Sequence, residues 1–144
     1  MDTKVSSEVK EIFEVLNERI RGYEKAAEHV RSTEYRSLFE KHMRESRNFE
    51  NELRPYSEKA PEEAGTRIQG DTWRYWMGLK GALSSDKDES MLEACIRGEK
   101  AAIDKYEHVL EDDDLPTDLR TVLRRQLAEI RTSHDNLERL EDLE

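Results

Sequence analysis

The stretch IRGYEKAA, residues Ile20 to Ala27, returns as IRGEKAA at Ile96 to Ala102, and this repeat decides the fold. In the second copy Glu99 stands where Tyr23 stands in the first. A glycine inside a helix costs about 1 kcal/mol relative to alanine, so Gly22 and Gly98 are expected where helices approach closely. The repeat therefore predicts two related helical units.

Apolar residues recur at helical spacing in four segments of the chain. They predict helices over residues 4–31, 33–54, 88–111 and 117–142. In the first helix the inward stripe is expected to pass through Ile20. Ser32 or Thr33 can cap the second helix and Thr117 the fourth. Short loops after the first and third helices make each pair an antiparallel hairpin.

The connection between the hairpins, residues 55–87, is much longer than the two turns. A short helix over residues 72–83 is expected in it, with Trp73 and Trp76 on one face. A connection of this length can run along the whole bundle and leave the second and third helices parallel. The prediction is a single all-α domain, residues 1–144, with the ferritin-like four-helix arrangement. The tryptophans are expected to pack across the bundle; the alternative is a partner-binding surface.

Composition limits the function classes. The chain has 144 residues, of which 40% are charged, and a formal net charge of −10. An acidic surface disfavours binding to nucleic acid or to an anionic membrane, and no run approaches the roughly 18 apolar residues of a membrane span. Cys95 is the only cysteine, which fits a reducing cytoplasm, and it is expected to be a buried small hydrophobe.

Several phrases resemble one known family. They are Ile20 to Ala27, LEACIRGEKAAIDKYEHVL (Leu92 to Leu110), WRYWMGLKGAL (Trp73 to Leu83) and RRQLAEIRTSHDNLERL (Arg124 to Leu140). Together they resemble a bacterial four-helix-bundle family of unknown function within the ferritin-like superfamily. The resemblance implies a ferritin-like bundle and self-association, and it implies no established activity.

Ferritin-like oxidases hold two metal ions with a glutamate from each of two helices and a Glu-x-x-His pair from each of the others. Carboxylates with imidazole suit iron or manganese. No histidine of this chain has a glutamate three residues before it: the preceding residues are Ala26, Phe39, Lys105 and Arg131. A standard di-iron site is therefore not expected.

A non-standard metal site has five candidate ligands, because helical spacing and the repeat place them near the inward faces: Glu24, Glu45, Glu99, Glu129 and His134. The alternative reading is that Glu99 is a buried polar residue bonded to a tyrosine or an arginine, since an unpaired buried carboxylate is costly. Four partners for it are considered: Tyr23, Arg97, Gln126 and His134. This second reading is the one we prefer.

The sequence thus favours a non-enzymatic cytoplasmic bundle without a cofactor, acting as a homo-oligomer, a dimer, or through protein partners, in a role related to stress. The alternative is an oxidoreductase or metal-storage protein that holds iron or manganese at the five candidate ligands.

Overall fold

The computed structural model describes residues 2–66 and 87–144, and within these ranges the chain is helical without any strand. This confirms the all-helical prediction for the described residues. The long helices are α1 (Thr3–His29), α2 (Thr33–Leu53), α4 (Asp88–Leu110) and α5 (Thr117–Asp142). A 3₁₀ turn (Arg54–Tyr56) and the short helix α3 (Pro61–Ala64) follow α2. The predicted helix over residues 72–83, with Trp73 and Trp76, lies outside the described residues.

The helix starts show which capping predictions were correct. The Ser32 hydroxyl accepts a hydrogen bond from the amide of Tyr35, 3.2 Å away, and so caps α2 as expected. The prediction for Thr117 was wrong, because Pro116 occupies the N-cap of α5 and its side chain offers no acceptor. Instead the carboxylate of Asp118 accepts a hydrogen bond from the Leu119 amide at 3.0 Å.

Contacts between the long helices fix their directions. Helix α1 meets α4 in reverse order, because the turn after α1 bonds to Asp88 and Lys4 pairs with Asp112. The same reverse order relates α1 to α2 through Tyr23–Phe39 and Arg19–Ser46. Since both α2 and α4 run opposite to α1, they run parallel to each other.

The described part of the long connection follows α1. The Glu58 amide donates to the Ser6 hydroxyl at 3.0 Å, near the start of α1. The Asn17 side-chain amide, near the middle of α1, donates to the carbonyl oxygens of Pro61 at 3.0 Å and Gly65 at 2.6 Å. Residues 58–65 therefore run along α1 from near its start to its middle.

The core consists of two apolar clusters, one toward each end of the bundle. The larger contains Ile12, Phe13 and Leu123, and the smaller contains Phe39 and Leu92. Gly22 and Gly98 are buried. None of the helices in the described ranges is long and apolar enough to cross a membrane.

Candidate functional site

A layer of polar side chains separates the two apolar clusters, and every long helix contributes to it. Its members, here called the polar layer, are each at most 3% exposed: Arg19 from α1, His42 and Ser46 from α2, Glu99 from α4 and Ser133 from α5. Polar groups this deep must find partners inside the protein, since leaving them unpaired is costly. The polar layer therefore contains the buried ionisable side chains that are the first candidates for a functional site.

Arg19 and Glu99 form the centre of the layer. The Nε of Arg19 donates to Oε1 of Glu99 at 2.6 Å, and one terminal nitrogen donates to Oε2 at 2.8 Å. This is the bidentate fork geometry that makes arginine–carboxylate pairs both strong and directional. Both oxygens of the carboxylate are thus engaged by a single guanidinium.

The remaining donors of Arg19 face α2. Its other terminal nitrogen donates to the Ser46 hydroxyl at 2.9 Å, and Ser46 donates in turn to the His42 carbonyl oxygen at 3.0 Å. The Glu45 carboxylate, 22% exposed, lies 2.9 Å from the guanidinium at the edge of the layer. The guanidinium also lies 5.4 Å from the centre of the Tyr23 ring, within cation–π range. Arg19 therefore connects carboxylates from two helices.

The charges of the layer set one another's protonation. Burial lowers the pKa of Arg19, but the charge of Glu99 and its hydrogen bond outweigh burial and raise the pKa above its ordinary value. Burial raises the pKa of Glu45, yet hydrogen bonds and charges from His42 and Arg19 leave it lower than usual. Burial first, and then the charge of Glu99, raises the pKa of the Tyr23 phenol well above its usual range. Arg19 remains a fixed internal cation.

His42 lies beside this cation. Its Nδ1 is 3.4 Å from the Ser133 hydroxyl and 3.7 Å from the Glu45 carboxylate. Because Ser133 already donates to the Glu129 carbonyl oxygen at 3.1 Å, we assign the Nδ1–H tautomer, in which His42 donates to Ser133. The other ring nitrogen, Nε2, is buried and makes no hydrogen bond.

The five predicted metal ligands lie in different places. Glu99 and Glu45 meet around Arg19. Glu24 is exposed on α1, and Glu129 is exposed on α5, where it lines a surface groove of about 370 Å³ together with Glu45. His134 lies on another face of α5, with Nδ1 near Asp135 and Glu138. Within residues 2–66 and 87–144, one group of three or more His, Cys, Asp or Glu side chains is close enough to share an ion, and it consists of His134, Asp135 and Glu138.

The main partner of Glu99 is an arginine, as one reading expected, but it is Arg19 and not one of the four residues named from the sequence. Of those four, Tyr23 does interact with Glu99: burial first, and then the charge of Glu99 and its hydrogen bond, raise the pKa of the Tyr23 phenol. Arg97 is exposed, and Gln126 bonds to Tyr106 instead. The expected inward residue Ile20 is only half-buried, whereas its neighbour Arg19 is 1% exposed. A signal was present: Arg19 follows Leu16 by three residues and precedes Tyr23 by four, which places all three on one helix face.

Cys95 also borders the layer. It is completely buried, as predicted, and burial together with the charge of Glu99 raises the pKa of its thiol well above the usual range. A thiol in this state is a poor nucleophile, because the thiolate is the reactive form.

Comparison with known protein families shows which family the chain belongs to. Residues 4–112 match the family described as Domain of unknown function (DUF2383). The chain belongs to this family. The DUF2383 match includes α1, α2 and α4, and thus Arg19, Glu45 and Glu99, but ends before α5. No curated protein matches the chain.

Proposed function

We propose that this chain is a ferritin-like four-helix bundle in which the guanidinium of Arg19 takes the place of a core metal, and which acts through association with itself or with protein partners rather than through catalysis. The observation that carries the proposal is the bidentate pair of Arg19 with Glu99. The parallel course of α2 and α4 and the long connection between them support the ferritin-like arrangement.

The donor set of the layer suits a guanidinium better than a metal. Ferritin-like centres need several free carboxylates with histidines on the same helix faces. Here both Glu99 oxygens accept hydrogen bonds from Arg19, and Glu45 lies against the same cation. A divalent ion would have to displace Arg19 or sit beside its charge, where the low dielectric strengthens repulsion. Glu24 and Glu129, on the exterior, add no ligand there.

Association is proposed to use polar contacts. In the described ranges the one large apolar side chain that is strongly exposed is Leu143, at 82%. A dimer that forms through residues 2–66 and 87–144 would therefore have a charged, hydrated interface rather than an apolar one. The buried thiol of Cys95 suits a reducing cytoplasm as the compartment.

Metal analysis tests the core assignment. The purified chain is incubated with iron(II) or manganese(II), desalted, and analysed for metal per chain beside the double variant Arg19→Met/Glu99→Leu. This variant removes both charges of the pair, and helical content by circular dichroism verifies that it folds. We expect equal metal content in the two proteins. Stoichiometric iron or manganese that is lost in the double variant would place a metal at Glu99 and favour the oxidoreductase or storage alternative.

Light scattering after size exclusion tests association. A mass of two chains, falling toward one chain as salt rises, is the expected result for a polar dimer. A single-chain mass at every concentration and salt would refute self-association.

A further inference from the structure

The group around His134 is separate from the polar layer and has the spacing of a metal site. The Nδ1 of His134 lies 3.3 Å from Oδ1 of Asp135 and 3.4 Å from Oε1 of Glu138. The three atoms all lie within 4.8 Å of one another. His134 and Glu138 are one helical turn apart, so both project from the same face of α5.

These separations are long for ion-pair hydrogen bonds, which are typically about 2.7–2.9 Å between a cationic nitrogen and a carboxylate oxygen. They match another geometry. In a tetrahedral site with metal–ligand bonds of about 2.1 Å, neighbouring ligand atoms are roughly 3.4 Å apart. The two distances from the imidazole nitrogen to the carboxylate oxygens therefore match those between ligands of one ion, and the two oxygens lie within 4.8 Å of each other.

The surroundings hold the imidazole and leave room for an ion. The His134 side chain is 18% exposed and lines a groove of about 740 Å³ between α4 and α5. Three cations line that groove: Arg131 pairs with Glu107 at 2.6 Å, Lys100 pairs with Asp104 at 3.1 Å, and Arg97 is exposed. Asp135 and Glu138 are 66% and 54% exposed, so their oxygens can turn toward an ion at little cost.

We propose that His134, Asp135 and Glu138 form an open surface site for a first-row divalent ion such as Zn²⁺. One imidazole with two carboxylates suits these borderline ions. Three protein ligands leave the fourth tetrahedral position to water, as in open zinc sites. The site goes beyond the proposed function and does not depend on it, because none of its residues belongs to the polar layer.

His108 provides a matched control. It is also a histidine of a helix surface, and its Nδ1 lies 3.8 Å from a single carboxylate, that of Glu111. His108 and Glu111 therefore supply two possible ligands, whereas the group around His134 supplies three. Both histidines can be replaced without touching the polar layer.

The full chain is titrated with Zn²⁺ by calorimetry and with Co²⁺ by visible absorption, beside His134→Ala, Glu138→Gln and His108→Ala. We expect one Zn²⁺ per chain and an intense tetrahedral Co²⁺ spectrum in the wild type and in His108→Ala. Affinity should fall at least about tenfold in His134→Ala and Glu138→Gln, the scale on which ligand-shell changes act. Nitrogen NMR should show that Zn²⁺ shifts the ring Nδ1 of His134.

Three results would overturn the site: no Zn²⁺ binding by the wild type, equal affinity in His134→Ala and His108→Ala, or a Zn²⁺-dependent shift at another histidine in place of His134. A metal that binds here and survives Arg19→Met/Glu99→Leu would leave the assignment of the polar layer intact. Failure at His134 likewise leaves that assignment untouched.

Discussion

Two buried polar pairs stabilise different parts of this bundle in different ways. Arg19–Glu99 is charged, joins α1 to α4, and lies between the apolar clusters. Tyr106–Gln126 is neutral and joins α4 to α5: the Tyr106 hydroxyl donates to Oε1 of Gln126 at 2.7 Å. Gln126 in turn donates to the Phe49 carbonyl oxygen at 3.2 Å and so reaches α2. Arg19–Glu99 therefore joins the two hairpins to each other, whereas Tyr106–Gln126 joins the two helices of the second hairpin.

The two pairs differ in the free-energy cost of leaving one residue buried without its partner. A neutral group without its partner keeps an unmet hydrogen bond, which costs about 1–3 kcal/mol. A buried charge without its partner keeps its full desolvation cost, so that breaking such a pair costs roughly 3–5 kcal/mol. Removing both charges together is often neutral or stabilising. The charged pair therefore contributes specificity more than net stability.

The largest effect is expected from Glu99→Ala, which leaves Arg19 charged inside the core. Unfolding in urea should show a loss of about 3–5 kcal/mol, because the guanidinium loses both of its strongest hydrogen bonds. The double variant Arg19→Met/Glu99→Leu should recover most of that loss. If the double variant is as unstable as the single one, the pair acts through packing and not through charge.

Tyr106→Phe should have a smaller effect. The ring remains in the core while the donor to Gln126 is removed, and the same urea experiment should show a loss of about 1–3 kcal/mol. Gln126 keeps its bond to Phe49, which limits the damage. A loss as large as that of Glu99→Ala would contradict the distinction between the two pairs.

The third effect is a dependence on pH, and it concerns a buried carboxylate that has no such partner. Glu50 is 7% exposed, its Oε2 makes no hydrogen bond, and burial followed by the charge of Glu62 raises its pKa to about 7. Between about pH 4.5 and about pH 7 the folded chain binds a proton that the unfolded chain has released, so the contribution of Glu50 to stability is largest below about pH 4.5 and falls as pH rises through about 7.

Glu50→Gln should remove that part of the pH dependence. We expect higher stability than wild type at pH 8 and nearly equal stability at pH 5, measured by thermal unfolding across this range. Glu8 has a pKa of about 7 as well, raised by burial and then by Asp112, so part of the slope should remain. An unchanged slope would show that Glu50 is solvated in the folded chain.

The helical nature of the chain and the burial of Cys95 could be predicted because apolar spacing reports which helix faces turn inward. The burial of Arg19 is harder to predict: its spacing from Leu16 and Tyr23 places it on the inward face, but arginine is almost never fully buried unless it is paired, and its partner lies on another helix. Helical spacing places Ile20 and Arg19 equally near the inward face. Side-chain polarity then favours Ile20 as the buried residue, whereas the structure buries Arg19. The deciding fact, Glu99 across the interface, belongs to tertiary structure.

The exposed positions of Glu24 and Glu129 have a related cause. Glu24 follows Ile20 by one turn, and since Ile20 itself is only half-buried, the next residue on that line faces outward. When α2 is aligned with α5 without a gap, so that Glu34 matches Asp118, Glu45 matches Glu129. The Glu45 carboxylate lies 2.9 Å from Arg19, whereas that of Glu129 lies 3.6 Å from Arg125 at the surface. Equivalent positions in two aligned helices therefore share a backbone conformation, but the neighbouring charges determine the direction in which each side chain points.

The repeated phrase gives the Arg19–Glu99 pair one more consequence. Aligned by their Ile-Arg-Gly triplets, the hairpins match Arg19 with Cys95 and Tyr23 with Glu99. Two copies of the first hairpin would bring together two Arg19 side chains with only the Glu45 carboxylates at the edge of the layer beside them, and two copies of the second would bring together two Glu99 carboxylates without Arg19. Only the mixed pairing places the Arg19 guanidinium against the Glu99 carboxylate. The buried charges are therefore expected to disfavour the association of either hairpin with its own copy and to favour the pairing that the structure shows.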